Sequence, residues 1–154
     1  MRIRLAKESD LATAAQLWFD RIALLQESES FIALVPNAIH IWRGQAMNWI
    51  GDDDFGFFLA ESDSGLAGIL VVSAKDNPPW LLPTRRGEIV EMVMDLHRPY
   101  SGLSGALLER AGAWLKAQDI EYLEVQPSAY YPVEEAFWLA RGAKLRSYRL
   151  WLRL

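Results

Sequence analysis

Residues 87–125, GEIVEMVMDLHRPYSGLSGALLERAGAWLKAQDIEYLEV, constrain the fold more than any other part of the chain. The run over 88–95 has the length and apolar content of a buried strand, and a loop holding Gly102, Ser104 and Gly105 follows it. Leu107, Leu108, Ala111, Trp114 and Leu115 then recur at helical spacing, from about 105 to 118, before a second strand expected over 122–126. Small residues where a strand turns into a helix let backbone N–H groups come close to a ligand, and the positive end of the helix dipole favours an anion there. The loop is therefore a candidate phosphate cradle. Two nucleotide loops are excluded, because neither G-x-G-x-x-G near a first strand nor Gly-Lys-Ser/Thr is present.

The rest of the chain supplies the sheet around this unit. Residues 3–6 alternate as a short strand, and Leu11, Ala14, Ala15, Trp18, Ile22 and Leu25 mark one face of a first helix. A loop over 26–36 leads to a second helix over 37–50 that carries His40, Trp42 and Trp49. Strands over 55–61 and 66–74 are joined by Ser62-Asp63-Ser64-Gly65, a hairpin signal. Three prolines make 76–86 a loop that holds Trp80. Pro132 opens a last helix ended by Gly142, and 144–154 alternate as a final strand. The expected order is β-α-α-β-β-β-α-β-α-β. It describes one α/β domain over residues 1–154, a mixed sheet of six to seven strands with helices on both faces.

Composition narrows the function. The 154 residues are 51% hydrophobic and 23% charged, as in an ordinary globular domain. A net charge of −4 lacks the basic footprint of a nucleic-acid binder, so no nucleic-acid partner is expected. Cysteine is absent, which removes disulfides, thiolate zinc sites and a cysteine nucleophile; with only His40 and His97, no metal site is expected. The opening MRIRLAKESDL lacks a signal-peptide core and no stretch approaches ~20 apolar residues, so the expectation is a cytoplasmic protein without a membrane partner.

The element order, the opening IRLAKESDLATAAQLW, the stretch from Met92 to Val125 and the closing VEEAFWLARGAKLRSYRLWL together resemble the GNAT (Gcn5-related N-acetyltransferase) superfamily over essentially the whole chain. The family's aromatic pair, glycine and apolar residue fall on Phe137, Trp138, Gly142 and Ala143. Its phosphate motif, Gln/Arg-x-x-Gly-x-Gly/Ala, falls on Pro99-Tyr100-Ser101-Gly102-Leu103-Ser104, a degenerate form that keeps Gly102 but has lost the leading Gln/Arg to Pro99.

The resemblance implies binding of acetyl-CoA as acyl donor, with no metal. Arg98, Ser101, Gly102, Leu103, Ser104 and Gly105 would hold its pyrophosphate, and the backbone of Met92, Val93 and Met94 would pair with the pantetheine arm. It also implies a carboxylate on the fourth strand that deprotonates a primary amine, and a tyrosine that protonates the departing thiolate. Glu88 and Glu91 are the two carboxylates on the strand, and period-two alternation places them on opposite faces because their separation is odd. Glu88 stands where histone-type members carry their base. The family tyrosine falls on Trp138, which leaves Tyr130 and Tyr131 as the candidate acids. The implied activity is an acyl-CoA-dependent N-acyltransferase acting on a small-molecule or peptide amine by direct attack in a ternary complex. The worn motif keeps a second reading open, a non-catalytic module that binds coenzyme A or a protein partner without turnover. The apolar end of the chain, Tyr148 to Leu154, is a candidate exposed edge, and a homodimer is one way to cover it.

Overall fold

A computed structural model describes residues 1–97 and 101–154. The strands are β1 (Arg2–Leu5), β2 (Phe55–Ser62), β3 (Gly65–Asp76), β4 (Arg85–Met94) and β5 (Leu123–Glu124), and the helices are α1 (Leu11–Gln26), α2 (Ala38–Ile50), α3 (Leu103–Lys116) and α4 (Pro132–Leu139). The strands lie in sequence order, with β1 to β4 antiparallel and β5 parallel to β4. The mixed sheet therefore has five strands among the described residues, not six to seven. Residues 144–154 form no ladder and are exposed throughout. An alternating segment becomes a strand only beside a free edge of matching length. Here β5 stops after two residues, and Pro127 removes a donor just beyond it.

Helices cover both faces as the apolar periodicity requires. On one face Leu11, Ala15 and Trp18 of α1 and Trp42, Ala46 and Trp49 of α2 pack over Phe57, Leu59, Ile69 and Val71. On the other, Leu103, Leu107, Ala111 and Leu115 of α3 pack over Phe58, Leu70 and Val72. The central strands β2 and β3 are buried on both sides for most of their length. α4 differs from the other helices: Pro132 opens it at its first position, but none of its residues is buried.

Two local features shape β4. Val71 of β3 pairs with Glu91, and the next residue, Val72, pairs with Ile89, so Val90 is an extra residue, a bulge. Moreover, β5 pairs with β4 only at Gly87 and Glu88. From Ile89 to Met94 the edge of β4 that faces away from β3 has, among the described residues, no strand beside it.

Candidate active site

α3 begins at Gly102, whose φ of +81° lies in the left-handed region that glycine enters without strain. Leu103, 2% exposed, anchors the helix start in the core. Among the described residues no side chain caps this end, and its first turn carries no acidic residue. The backbone N–H groups at Leu103, Ser104 and Gly105 therefore form an open, positively polarised end. Ser101 is exposed just ahead of it. Arg98, the remaining residue expected here, lies outside the described residues, as does Pro99.

Sequence reasoning missed a cation at this end. Arg141, just past α4, places its Nη2 3.6 Å from where a Cβ on Gly105 would stand. The guanidinium is held by donation from Nη1 to the Phe137 carbonyl at 3.1 Å and by stacking, with Cζ 3.6 Å from the centre of the Phe137 ring. Among the described residues no carboxylate pairs with it. Only the three-dimensional path of the chain past α4 brings this arginine to α3.

Met92 and Met94 face α3, while Val93 packs beneath α1 and α2. On one side their backbones pair with Leu70, Ile69 and Gly68 of β3, and the other side is the open edge. That edge leads toward the start of α3, so the residues expected to line a pantetheine arm and those expected to hold a pyrophosphate are contiguous.

The bulge corrects the expected placement of the two glutamates. Gly87 and Ile89 face α3, whereas Val90 and Glu91 both contact the α1–α2 side. Glu88, between Gly87 and Ile89, shares that side. Glu88 and Glu91 stand opposite Ser73 and Val71, two residues apart on β3, and so about 7 Å apart along the strand. Their environments differ. Glu88 is an ion-pair partner, with Oε2 2.9 Å from Lys75 Nζ and 3.7 Å from Arg86 Nη2. Among the described residues no cation meets Glu91. One of its oxygens accepts the indole N–H of both Trp18 and Trp42, each at 3.1 Å, and the two rings stack 5.3 Å apart. Burial raises the Glu91 pKa above its ordinary 4.5, and the two indole bonds offset part of that rise.

The tyrosines stand apart from these carboxylates. Tyr131 precedes α4, and its hydroxyl shares a hydrogen bond with Ser28 at the end of α1, with Arg21 lying 5.6 Å over its ring. Ser128 Oγ donates to Glu29 Oε2 at 3.3 Å across the same seam. Tyr130 is 49% exposed. Among the described residues no hydrogen bond joins either tyrosine to Glu88 or Glu91. Trp42 and Trp49 lie in the α2 core, whereas Trp80 is 81% exposed. A cavity of about 230 Å³ opens beyond the paired ends of β4 and β5, lined by Arg86, Glu124, Leu82 and Arg146 among others. Nothing in the sequence pattern marks it. Among the described residues no group of three His, Asp or Glu side chains is placed to hold a metal, and no helix is long and apolar enough to cross a membrane.

No family model matches the sequence, and no curated protein does. Solved structures do. The BH1408 protein from Bacillus halodurans, solved as a tetramutant, superposes with a TM-score of 0.84 at 17% identity, covering 100% of each chain. The aminoglycoside 6'-N-acetyltransferase AAC(6')-IG from Acinetobacter haemolyticus gives 0.78 at 14% identity, covering 100% of this chain and 98% of that one. A predicted acetyltransferase from Clostridium acetobutylicum, solved with acetyl-CoA, gives 0.76 at 16% identity, covering 99% and 94%. Likeness of this extent, from end to end of both chains, shows that this chain has the fold of the GCN5-related N-acetyltransferases.

Proposed function

We propose that this protein is an acyl-CoA-dependent N-acyltransferase that moves an acetyl group from acetyl-CoA to a primary amine by direct attack in a ternary complex. The observation that carries the reading is the open edge of β4 from Ile89 to Met94, which runs from a bulge to the uncapped start of α3. Strand-like pairing with that edge suits an extended pantetheine arm. The N–H groups of Leu103, Ser104 and Gly105 at the helix start, with Ser101 just ahead of them, suit a pyrophosphate, and the Arg141 guanidinium supplies the charge that Pro99 does not. A backbone N–H of the Met92–Met94 edge would polarise the thioester carbonyl, an oxyanion contribution that needs no particular side chain.

A protonated amine must first lose a proton. Glu88 and Glu91 both face the α1–α2 side, and burial with no cationic partner among the described residues makes Glu91 the better base, because its proton affinity is moved toward working pH. The amine nitrogen then attacks the carbonyl carbon, the C–N bond forms, the nitrogen gives up its second proton to solvent, and the C–S bond breaks. The thiolate leaves with a proton supplied by solvent or by Tyr130 or Tyr131. The absence of cysteine suits a reducing compartment, and the cytoplasm is the one we assign.

A second reading, a module that binds coenzyme A without turnover, is favoured by the ion pairing of Glu88 and by the hydroxyl bond that already occupies Tyr131. Calorimetric titration with acetyl-CoA tests what the two share. Micromolar binding supports both, and its absence refutes both. A panel of amines assayed for thiol release then separates them. Glu91→Gln is expected to lower kcat by about 10²–10⁴-fold with acetyl-CoA affinity nearly unchanged, whereas Glu88→Gln changes kcat less. The reverse ranking would return the base role to Glu88.

A further inference from the structure

The two rings that meet Glu91 are fixed in the core. Trp18 and Trp42 are both buried, and they stack with 18° between their planes. The Trp42 ring also stands edge-on to Trp49 at 5.7 Å and to Phe57 at 6.2 Å. Neither indole can turn without opening the cluster beneath α1 and α2. Each supplies a single N–H donor, and both donors go to Oε1, whose two lone pairs they fill. Oε2 stands differently. Among the described residues it accepts no hydrogen bond, yet it is not one of the unpartnered atoms sealed from solvent, which are Ser73 Oγ and Arg86 Nε. An untethered carboxyl turns easily about its last torsion and offers either oxygen. Two donors on two different helices forbid that turn here.

We propose that Trp18 and Trp42 are positioning residues that clamp the Glu91 carboxyl through Oε1 and leave Oε2 as the atom that takes the proton from the amine. The inference rests on Glu91 being the base. In that step an N–H bond of the ammonium breaks, an O–H bond forms at Oε2, and the nitrogen keeps the electron pair it needs for attack. A neutral clamp suits the step. An arginine or lysine would hold the carboxyl as firmly, but its charge would weaken the hold on the incoming proton. The indoles carry no charge and do not titrate. The charged groups of the neighbouring elements are engaged elsewhere or exposed. On α1, Asp20 accepts from Gln16, and Arg21 lies over Tyr131 and against Glu134. On α2, His40 and Arg43 are exposed. Lys75 of β3 and Arg86 of β4 hold Glu88, and among the described residues none of these groups pairs with Glu91.

Benzothienylalanine has the shape of tryptophan without the N–H, so in place of Trp18 and Trp42 it removes the bonds and keeps the packing. The doubly replaced protein is expected to lose up to about 10²-fold in kcat, with acetyl-CoA affinity nearly unchanged. The acidic limb of its kcat/KM profile is expected to move to higher pH, because the indole bonds favour the ionised carboxyl. Trp49→Phe thins the same cluster without a bond to Glu91 and is expected to leave that limb in place. In proton–nitrogen correlation spectra of the unliganded protein, the Nε1–H signals of Trp18 and Trp42 are expected to shift with one common midpoint, and neither is expected to titrate in Glu91→Gln. Turnover that is absent, or unchanged in Glu91→Gln, would overturn the base and the clamp with it. A slow Glu91→Gln beside a doubly replaced protein with wild-type kcat and acidic limb would overturn the clamp alone. Indole signals that do not titrate, or that still titrate in Glu91→Gln, would overturn it whatever the turnover.

Discussion

Replacing Gly87 by alanine tests whether contact between α3 and β4 fixes where β5 can attach. Gly87 is buried, pairs with Leu123 and donates its N–H to the Tyr122 carbonyl at 2.7 Å. A Cβ there would stand 2.5 Å from Leu115 Cδ1, 2.9 Å from Leu115 Cδ2 and 3.2 Å from Leu123 Cδ1. Carbon atoms in contact settle at about 3.5–4.0 Å, so the Leu115 side chain would have to retreat by about 1 Å. Leu115 is 3% exposed in the α3 core and has little room to do so. Overpacking of this kind costs about 1–3 kcal/mol, which for a chain of this length lowers Tm by roughly 2–12 °C. Urea unfolding read by tryptophan fluorescence should show a lower midpoint with an unchanged slope. Leu115→Ala alone should cost about 2–5 kcal/mol as a cavity. In the double variant the new methyl meets empty space, so the combined loss should fall short of the sum by at least about 1 kcal/mol. A Gly87→Ala midpoint equal to wild type, or strictly additive losses, would refute the steric argument.

Two further outcomes concern the proposed site. Because the folded Glu91 carboxyl holds its proton above the ordinary 4.5, the folded state binds more protons than the unfolded one in the window just above that value, and stability contributed by the protonated form is lost as pH rises through it. Glu91→Gln removes this loss, so its Tm relative to wild type should climb between pH 4 and pH 7 in calorimetry; a difference that stays flat or falls would show that burial does not control this group. Arg141→Ala should weaken acetyl-CoA binding about tenfold in low salt and less in high salt, as measured by titration. Affinity indifferent to both changes would remove Arg141 from the phosphate end.

Much of the fold is legible in the chain. Apolar spacing of 3.6 residues marks α1, α2 and α3 within about two residues of their bounds, and the run 62–65 gives the β2–β3 turn. Local pattern fails where the outcome depends on a neighbour. The bulge at Val90 is set by how β4 registers on β3, and no residue type announces it; parity counting therefore split Glu88 from Glu91. Residues 144–154 have strand alternation, but a strand also needs an edge, and two-residue β5 offers none. Arg141 is 36 positions from Gly105 in sequence, so its place at the start of α3 belongs to the tertiary path alone.

The poor burial of α4 has an energetic consequence. Its links to the body include partly exposed polar pairs such as Arg21 to Glu134 at 3.6 Å, each worth about 0–1 kcal/mol, while β2 and β3 are enclosed on both faces. Opening free energy is therefore unevenly distributed, and α4 belongs to the fraction of the molecule that detaches first. A ligand gripped by Arg141 against α3 would spend part of its interaction free energy on keeping α4 docked. Its measured affinity would then report the population of the docked state as much as the chemistry of the contact.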